Sequence, residues 1–106
     1  MTQFTDREKA EESRHAHKEE LEFKAVARRN KLVGAWAAGL LGLEGEAAAA
    51  YATAVVAADF KEAGDGDVIA KLQADFAAKG VDVSEHVIRR TLDEKLEEAR
   101  AQLAAG

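Results

Sequence analysis

The sequence predicts an all-α protein, a four-helix bundle whose first helix carries a mobile N-terminal extension. Three observations support this prediction. The 106 residues include no proline, and the prevailing residue types, Ala, Glu, Lys, Leu and Arg, favour helices. Apolar residues recur at helical spacing in four separate segments. No segment has the pattern of a convincing strand, and no internal repeat is visible.

The first helix is expected to begin in a charged segment. Residues 6–20 hold ten charged residues and nothing more apolar than alanine. Thr5 and Glu8 form a capping box, in which each side chain can bind the backbone N–H of the other residue, and this predicts a helix start. An apolar stripe begins only at Leu21. Isolated helices of this length are marginal in water, so we expect a partly helical segment without support from a core.

We therefore divide the chain into two parts. Residues 1–19 are predicted to be a mobile arm that becomes ordered on a partner, and residues 20–106 are predicted to be the bundle. The arm is dense in charges of both signs, which suits a mixed-charge protein groove better than a polyanion.

Glycines and capping residues divide the bundle into helices. Gly42 or Gly45 is expected to end the first helix, and Gly80 the third. Asp65 and Ser84 are candidate N-caps of the third and fourth helices. Apolar residues at helical spacing predict the buried faces: Leu21, Ala25, Leu32, Trp36 and Leu40 in the first helix; Ala47, Tyr51, Ala54, Val55 and Ala58 in the second; Val68, Ile69, Leu72 and Phe76 in the third; Ile88, Leu92, Leu96, Ala99 and Leu103 in the fourth.

Charge and hydropathy restrict the partners. Residues 1–31 have eight Lys and Arg against seven Asp and Glu, whereas residues 32–106 have seven against thirteen. An acidic body disfavours nucleic acid as a partner. No run approaches the ~18 apolar residues of a membrane span, so we expect no direct membrane insertion. The N-terminus lacks the apolar stretch of a secretory signal and the chain lacks cysteine, and both features favour a cytoplasmic protein.

The sequence offers no convincing catalytic, metal or cofactor site. His15 and His17 are two residues apart and lie on different faces of a helix, so they cannot share a metal ion. Gly64–Asp67 lacks the further ligands of a calcium loop. The glycines between residues 39 and 45 are followed by no phosphate-binding lysine. We therefore expect a protein that is not an enzyme and has no metal or cofactor, and weak binding of adenine nucleotide to the bundle stays open.

A basic cluster lies where the arm meets the bundle. It consists of Arg28, Arg29 and Lys31. Such a cluster is either a solvated helix face or a docking patch for an acidic surface of a partner.

Several segments closely resemble the zeta-subunit family of alphaproteobacterial F-type ATP synthases. The longest is Phe23–Ala38, and others are Phe4–Glu11, Val55–Phe60 and Gly80–Ser84; beyond about Arg89 only the helical pattern is shared. The resemblance implies a four-helix bundle whose mobile N-terminal region inhibits ATP hydrolysis. In that family the arm is understood to enter a catalytic interface between the α and β subunits and to contact the γ subunit.

Carried over by position, the resemblance predicts which residues bind the partner. It also implies a cytoplasmic protein that is associated with the inner membrane peripherally, through the ATP synthase. The segment Ser13–His17 departs from the family by being more polar, which would make inhibition weaker or dependent on pH. The arm residues expected to contact the ATP synthase are Phe4, Thr5, Asp6, Arg7, Glu8, Lys9, Glu11, Glu12, Arg14, His15, His17 and Lys18.

Two other functions remain open from the sequence. One is a nucleotide-binding regulatory helical bundle without strong inhibitory activity. The other is a structural or oligomerisation domain that has no effect on any ATPase.

Overall fold

The structure is a computed structural model. It describes the backbone of residues 2–59 and 64–105, and the side chains of residues 18–59 and 64–105. These residues form four helices and no strand, so the predicted all-α four-helix bundle is confirmed. The long α1 packs along both α2 and α4, and α3 completes the bundle by contacting α2 and α4. The helices are α1 Thr2–Leu40, α2 Gly45–Ala58, α3 Gly66–Ala78 and α4 Glu85–Ala105.

Two glycines end helices by the same motif, as the sequence predicted. Gly42 follows α1 with a φ of +77°, and Gly80 follows α3 with a φ of +68°, a backbone conformation that L side chains rarely adopt. After α1, the N–H of Leu43 donates to the carbonyl of Ala38 at 2.9 Å. This hydrogen bond satisfies a helix-end carbonyl and turns the chain sharply into α2.

The two predicted N-caps have different outcomes. The hydroxyl of Ser84 accepts the backbone N–H of Val87 at 3.2 Å, which confirms Ser84 as the cap of α4. Asp65 occupies the N-cap position of α3, but its side chain makes no capping hydrogen bond. Its carboxylate is instead paired with Arg29 of α1. The capping prediction for the Asp65 side chain was therefore wrong, because a cation from another helix binds it.

The buried faces of α3 and α4 agree with the sequence pattern. Each of these helices has a single apolar stripe, so the 3.6-residue period fixes which side turns inward. The four residues predicted for α3 are all buried, and of the five predicted for α4 three are buried and two half-buried. The buried residues of these stripes are Val68, Ile69, Leu72, Phe76, Ile88, Leu92 and Ala99.

The buried faces of α1 and α2 differ in part from the prediction. The ends of the predicted α1 stripe, Leu21 and Leu40, are 40% and 44% exposed, while smaller residues occupy the centre of the contact. In α2 nearly every residue is apolar, so the pattern cannot fix one inward face, and Ala47 and Ala54 point to solvent. The buried hydrophobic residues of α1 and α2 are Ala25, Val33, Ala37, Ala38, Ala52, Val55 and Ala58.

The small residues are central because α1 and α2 approach each other closely. A Cβ atom placed on Gly34 of α1 would lie 2.6 Å from the Cα atom of Ala52 in α2. The two backbones are therefore in direct contact, which only a glycine at this position allows. Further along α1, Trp36 is half-buried and meets Phe76 of α3 edge to face, with ring centroids 5.8 Å apart.

Candidate functional site

The predicted arm occupies the N-terminal part of α1. That helix begins at Thr2, upstream of the predicted cap at Thr5, and continues into the bundle without a break. Of the predicted partner-binding residues, only Lys18 has a described side chain, and it is exposed. The side chains outside the described residues are those of Phe4, Thr5, Asp6, Arg7, Glu8, Lys9, Glu11, Glu12, Arg14, His15 and His17.

The base of the arm lies where α1 meets the end of α4. A groove of about 230 Å³ separates the two helices here, with Lys18, Leu21 and Glu22 on one side and the last turns of α4 on the other. The carboxylate of Glu22 is 2.6 Å from the guanidinium of Arg100 across this groove. Among the described side chains, Lys18 is the first in α1 to line it.

The predicted docking cluster is divided by the structure. Arg28 and Lys31 are exposed, but Arg29 is only 4% exposed and turns into the bundle. Successive residues of a helix are about 100° apart around its axis, so neighbours can face in different directions. Arg29 is therefore not part of an exposed patch, and the docking role of Arg28 and Lys31 stays a prediction.

A polar network explains why a buried arginine is stable. Arg29 donates from Nε and Nη2 to Oδ1 of Asn30, at 3.0 and 2.8 Å. The same Nη2 is 2.9 Å from the carboxylate of Asp65 and 3.9 Å from that of Asp59, and Asn30 donates to Asp59 at 2.9 Å. A buried cation needs such partners to compensate for its lost hydration. The network fastens both ends of the α2–α3 connection to α1.

The comparison with protein families decides the identity of this bundle. A family model for the ATPase inhibitor subunit zeta matches residues 1–102. The chain belongs to this family. The match confirms the family resemblance found in the sequence, and it includes the segment predicted as the arm. The family assignment supports a general, regulatory role as an inhibitor of the ATP synthase.

A solved structure is similar to this chain in sequence and in fold. It was determined by solution NMR, is 45% identical in sequence and superposes with a TM-score of 0.72. The alignment covers 80% of this chain and 96% of that chain. No curated protein matched the chain.

A second polar cluster of this zeta-family chain joins α2 to α3. The hydroxyl of Tyr51 donates to the carboxylate of Asp75 at 2.7 Å. The ammonium of Lys71 is 3.1 Å from the same oxygen and 5.0 Å from the centroid of the tyrosine ring. Burial, and then the hydrogen bond to Asp75, raises the pKa of the Tyr51 phenol well above its ordinary value. The sequence pattern placed Tyr51 in the core but gave no sign of its partner.

The described residues also bear on the metal site, the calcium loop and the membrane span considered for this sequence. Within residues 18–59 and 64–105, no group of three His, Asp or Glu side chains is arranged to hold a metal ion. In the Gly64–Asp67 turn, Asp65 is already paired with Arg29. No helix in the described part of the chain is long and apolar enough to cross a bilayer. Weak adenine-nucleotide binding by the zeta-family bundle stays a prediction.

Proposed function

We propose that this protein inhibits ATP hydrolysis by the F-type ATP synthase by inserting its N-terminal arm, residues 1–19, into a catalytic interface between the α and β subunits. The observation that carries the proposal is the length of α1 relative to the bundle. Helix α1 has 39 residues, whereas α4, the longer of the two helices that pack along it, has 21. The sixteen helical residues before Lys18, residues 2–17, span about 24 Å at 1.5 Å per residue.

The composition of the arm fits a wedge between polar protein surfaces. Its charges of both signs can pair with a polar interface, and Phe4 offers one apolar anchor. A segment without an apolar face gains little from packing on its own bundle, so it becomes ordered on its partner, where the ordering entropy is offset by new contacts. Here the arm contacts the α, β and γ subunits and stops rotation mechanically.

The bundle acts as the base from which the arm extends. The Glu22–Arg100 ion pair and the groove residues around Leu21 hold α1 against the end of α4. Blocking a cleft that must close during turnover requires no chemistry from the inhibitor, so the proposal assigns no catalytic residue, metal or cofactor to it. The protein acts in the cytoplasm, at the inner membrane only through the ATP synthase.

Deletion of residues 1–17 tests the proposal. This deletion keeps Lys18 and the groove, so the bundle should remain folded, with an unchanged melting temperature and a helical far-UV spectrum. Inhibition of ATP hydrolysis by the purified ATP synthase head should be lost. A full-length variant with the residues of the arm in scrambled order is the matched control, since it keeps length and charge.

The results separate the arm mechanism from a general effect of charge. Both the deletion and the scrambled arm should fail to inhibit at concentrations where the natural chain inhibits fully. If the deleted protein still inhibits at the same concentration as the natural one, the arm is not the inhibitory element. If the scrambled arm inhibits equally well, insertion of a specific sequence is refuted.

A further inference from the structure

Two exposed cations on α1 differ from most of the other cations that the structure describes. Each of the four Lys and Arg side chains of α4 lies within salt-bridge distance of a glutamate: Arg89 with Glu85, Arg90 with Glu94, Lys95 with Glu98, and Arg100 with Glu22 and Glu97. Arg28 and Lys31 have no carboxylate partner within the described residues. The only hydrogen bond that Arg28 makes there is to the amide of Gln102, at 3.4 Å.

These cations border a shallow apolar depression. It has a volume of about 400 Å³ and runs along the outer side of α1 between α2 and α4. The ring of Phe23, 62% exposed, forms one part of its surface. The residues that line it are Phe23, Lys24, Ala27, Arg28, Lys31, Val56 and Leu103. Apolar side chains therefore form its floor, and three basic side chains its rim.

We infer that this depression is a docking site for a negatively charged amphipathic helix on the protein that the arm inhibits. The identity of that protein rests on the proposed function, but the chemistry of the partner does not. The chain has a net charge of −5, so most of its surface repels acidic partners. Arg28 and Lys31, which have no carboxylate partner among the described residues, make this depression complementary to a negatively charged surface.

The spacing of the cations favours a helix as the occupant. Arg28 and Lys31 are three residues apart, about one helical turn, so their charged groups can meet carboxylates one turn apart on a facing helix. An apolar side chain between those carboxylates would rest on Ala27 and Phe23. Burial of this apolar surface would supply affinity, and the rim charges would set orientation and association rate.

Charge reversal of the two cations tests the inference. The double variant Arg28→Glu, Lys31→Glu changes the net charge by −4, from −5 to −9. The double variant Arg89→Glu, Arg90→Glu makes the same change on α4 and is the matched control. Both are made in the full-length chain, and circular dichroism with thermal melting checks that both remain folded.

Binding to the purified ATP synthase head is measured separately from inhibition, at several salt concentrations. The inference predicts that the α1 variant binds about tenfold more weakly than the natural chain, with a flatter salt dependence, since rim charges act on association through screened electrostatics. The α4 variant should bind within twofold of the natural chain. The maximal inhibition at saturating protein should be the same for all three, because the arm is intact.

Each alternative result has a definite meaning. If the α1 variant binds like the natural chain, or if both variants are weakened equally, the depression is not a docking site. If the natural chain binds without inhibiting and the α1 variant alone loses affinity, the docking site stands and the proposed function fails. If the natural chain does not bind the head at all, both are refuted.

Discussion

The close contact between α1 and α2 can be tested by adding a single methyl group. In Gly34→Ala the new Cβ would lie 2.6 Å from Cα, 3.1 Å from Cβ and 3.4 Å from the carbonyl carbon of Ala52. Ordinary carbon–carbon contacts are about 3.5–4.0 Å, so the shortest of these distances must grow by about 1 Å. The obstacle is main chain and not a flexible side chain, so the two helices must move apart.

Two opposing effects determine the size of the change in stability. Replacing a helical glycine by alanine favours folding by up to about 1 kcal/mol, through backbone entropy and helix propensity. Overpacking of a well-packed core costs about 1–3 kcal/mol, and a clash with main chain lies at the upper end. We therefore expect Gly34→Ala to lower the free energy of unfolding by about 1–2 kcal/mol. For a domain of this size this corresponds to a decrease in melting temperature of about 4–16 °C.

Gly39 provides a control in the same helix. It is exposed, and a Cβ at this position has nothing within 4 Å. Gly39→Ala should leave the free energy of unfolding unchanged or raise it by up to about 0.5 kcal/mol. The gain is small because Gly39 lies in the last turn of α1, where helix propensity contributes less. Urea unfolding followed by circular dichroism measures both variants. A Gly34→Ala protein as stable as the natural chain would show that α1 and α2 do not approach as closely as described.

Two further predictions concern the polar clusters. Arg29→Met should lower the free energy of unfolding by about 2–3 kcal/mol, because it leaves Asn30 and two partly exposed aspartates without their cation. Its control is Arg28→Met, on the exposed face, which should change the free energy of unfolding by less than about 0.5 kcal/mol. Urea unfolding measures both variants. Equal effects would contradict the burial of Arg29. Because the pKa of Tyr51 is raised in the folded state, the unfolded state loses its proton first, and stability should fall as pH rises above the ordinary value of 10.0. Tyr51→Phe should remove that part of the alkaline loss, and parallel pH profiles for the two proteins would refute the prediction.

The fold was predictable where the sequence carries a single clear signal. The large apolar residues of α3, Val68, Ile69, Leu72 and Phe76, all lie in one stripe, and the remaining residues are small or polar, so the inward face of α3 follows from the helical period. Gly80 was equally clear, since a glycine after an apolar stripe predicts a helix end. In the alanine-rich α2 almost all faces are apolar, and the inward side is decided by the close approach at Gly34, which requires knowledge of the neighbouring helix.

The candidate site was less predictable, because it depends on contacts between distant residues. Arg28, Arg29 and Lys31 are equivalent in sequence as parts of a basic cluster. What separates Arg29 from the others is the position of Asp59 and Asp65 at the two ends of the α2–α3 connection, thirty or more residues later. The depression beside Arg28 is similarly built from three helices. A buried arginine could have been suspected only from the helical period, which places Arg29 one turn from Ala25 and Val33.

If the arm inserts as proposed, the continuity of α1 makes the arm and the bundle a single rigid element. Between the first residue and Val33 the chain contains neither glycine nor proline, so no residue along this length is a ready swivel. The orientation of the bundle is then set by the protein surface that binds the N-terminal end of α1. A fluorescent dye attached to the outer side of α4 would therefore report the angle of the inserted segment, although the dye itself is far from that segment.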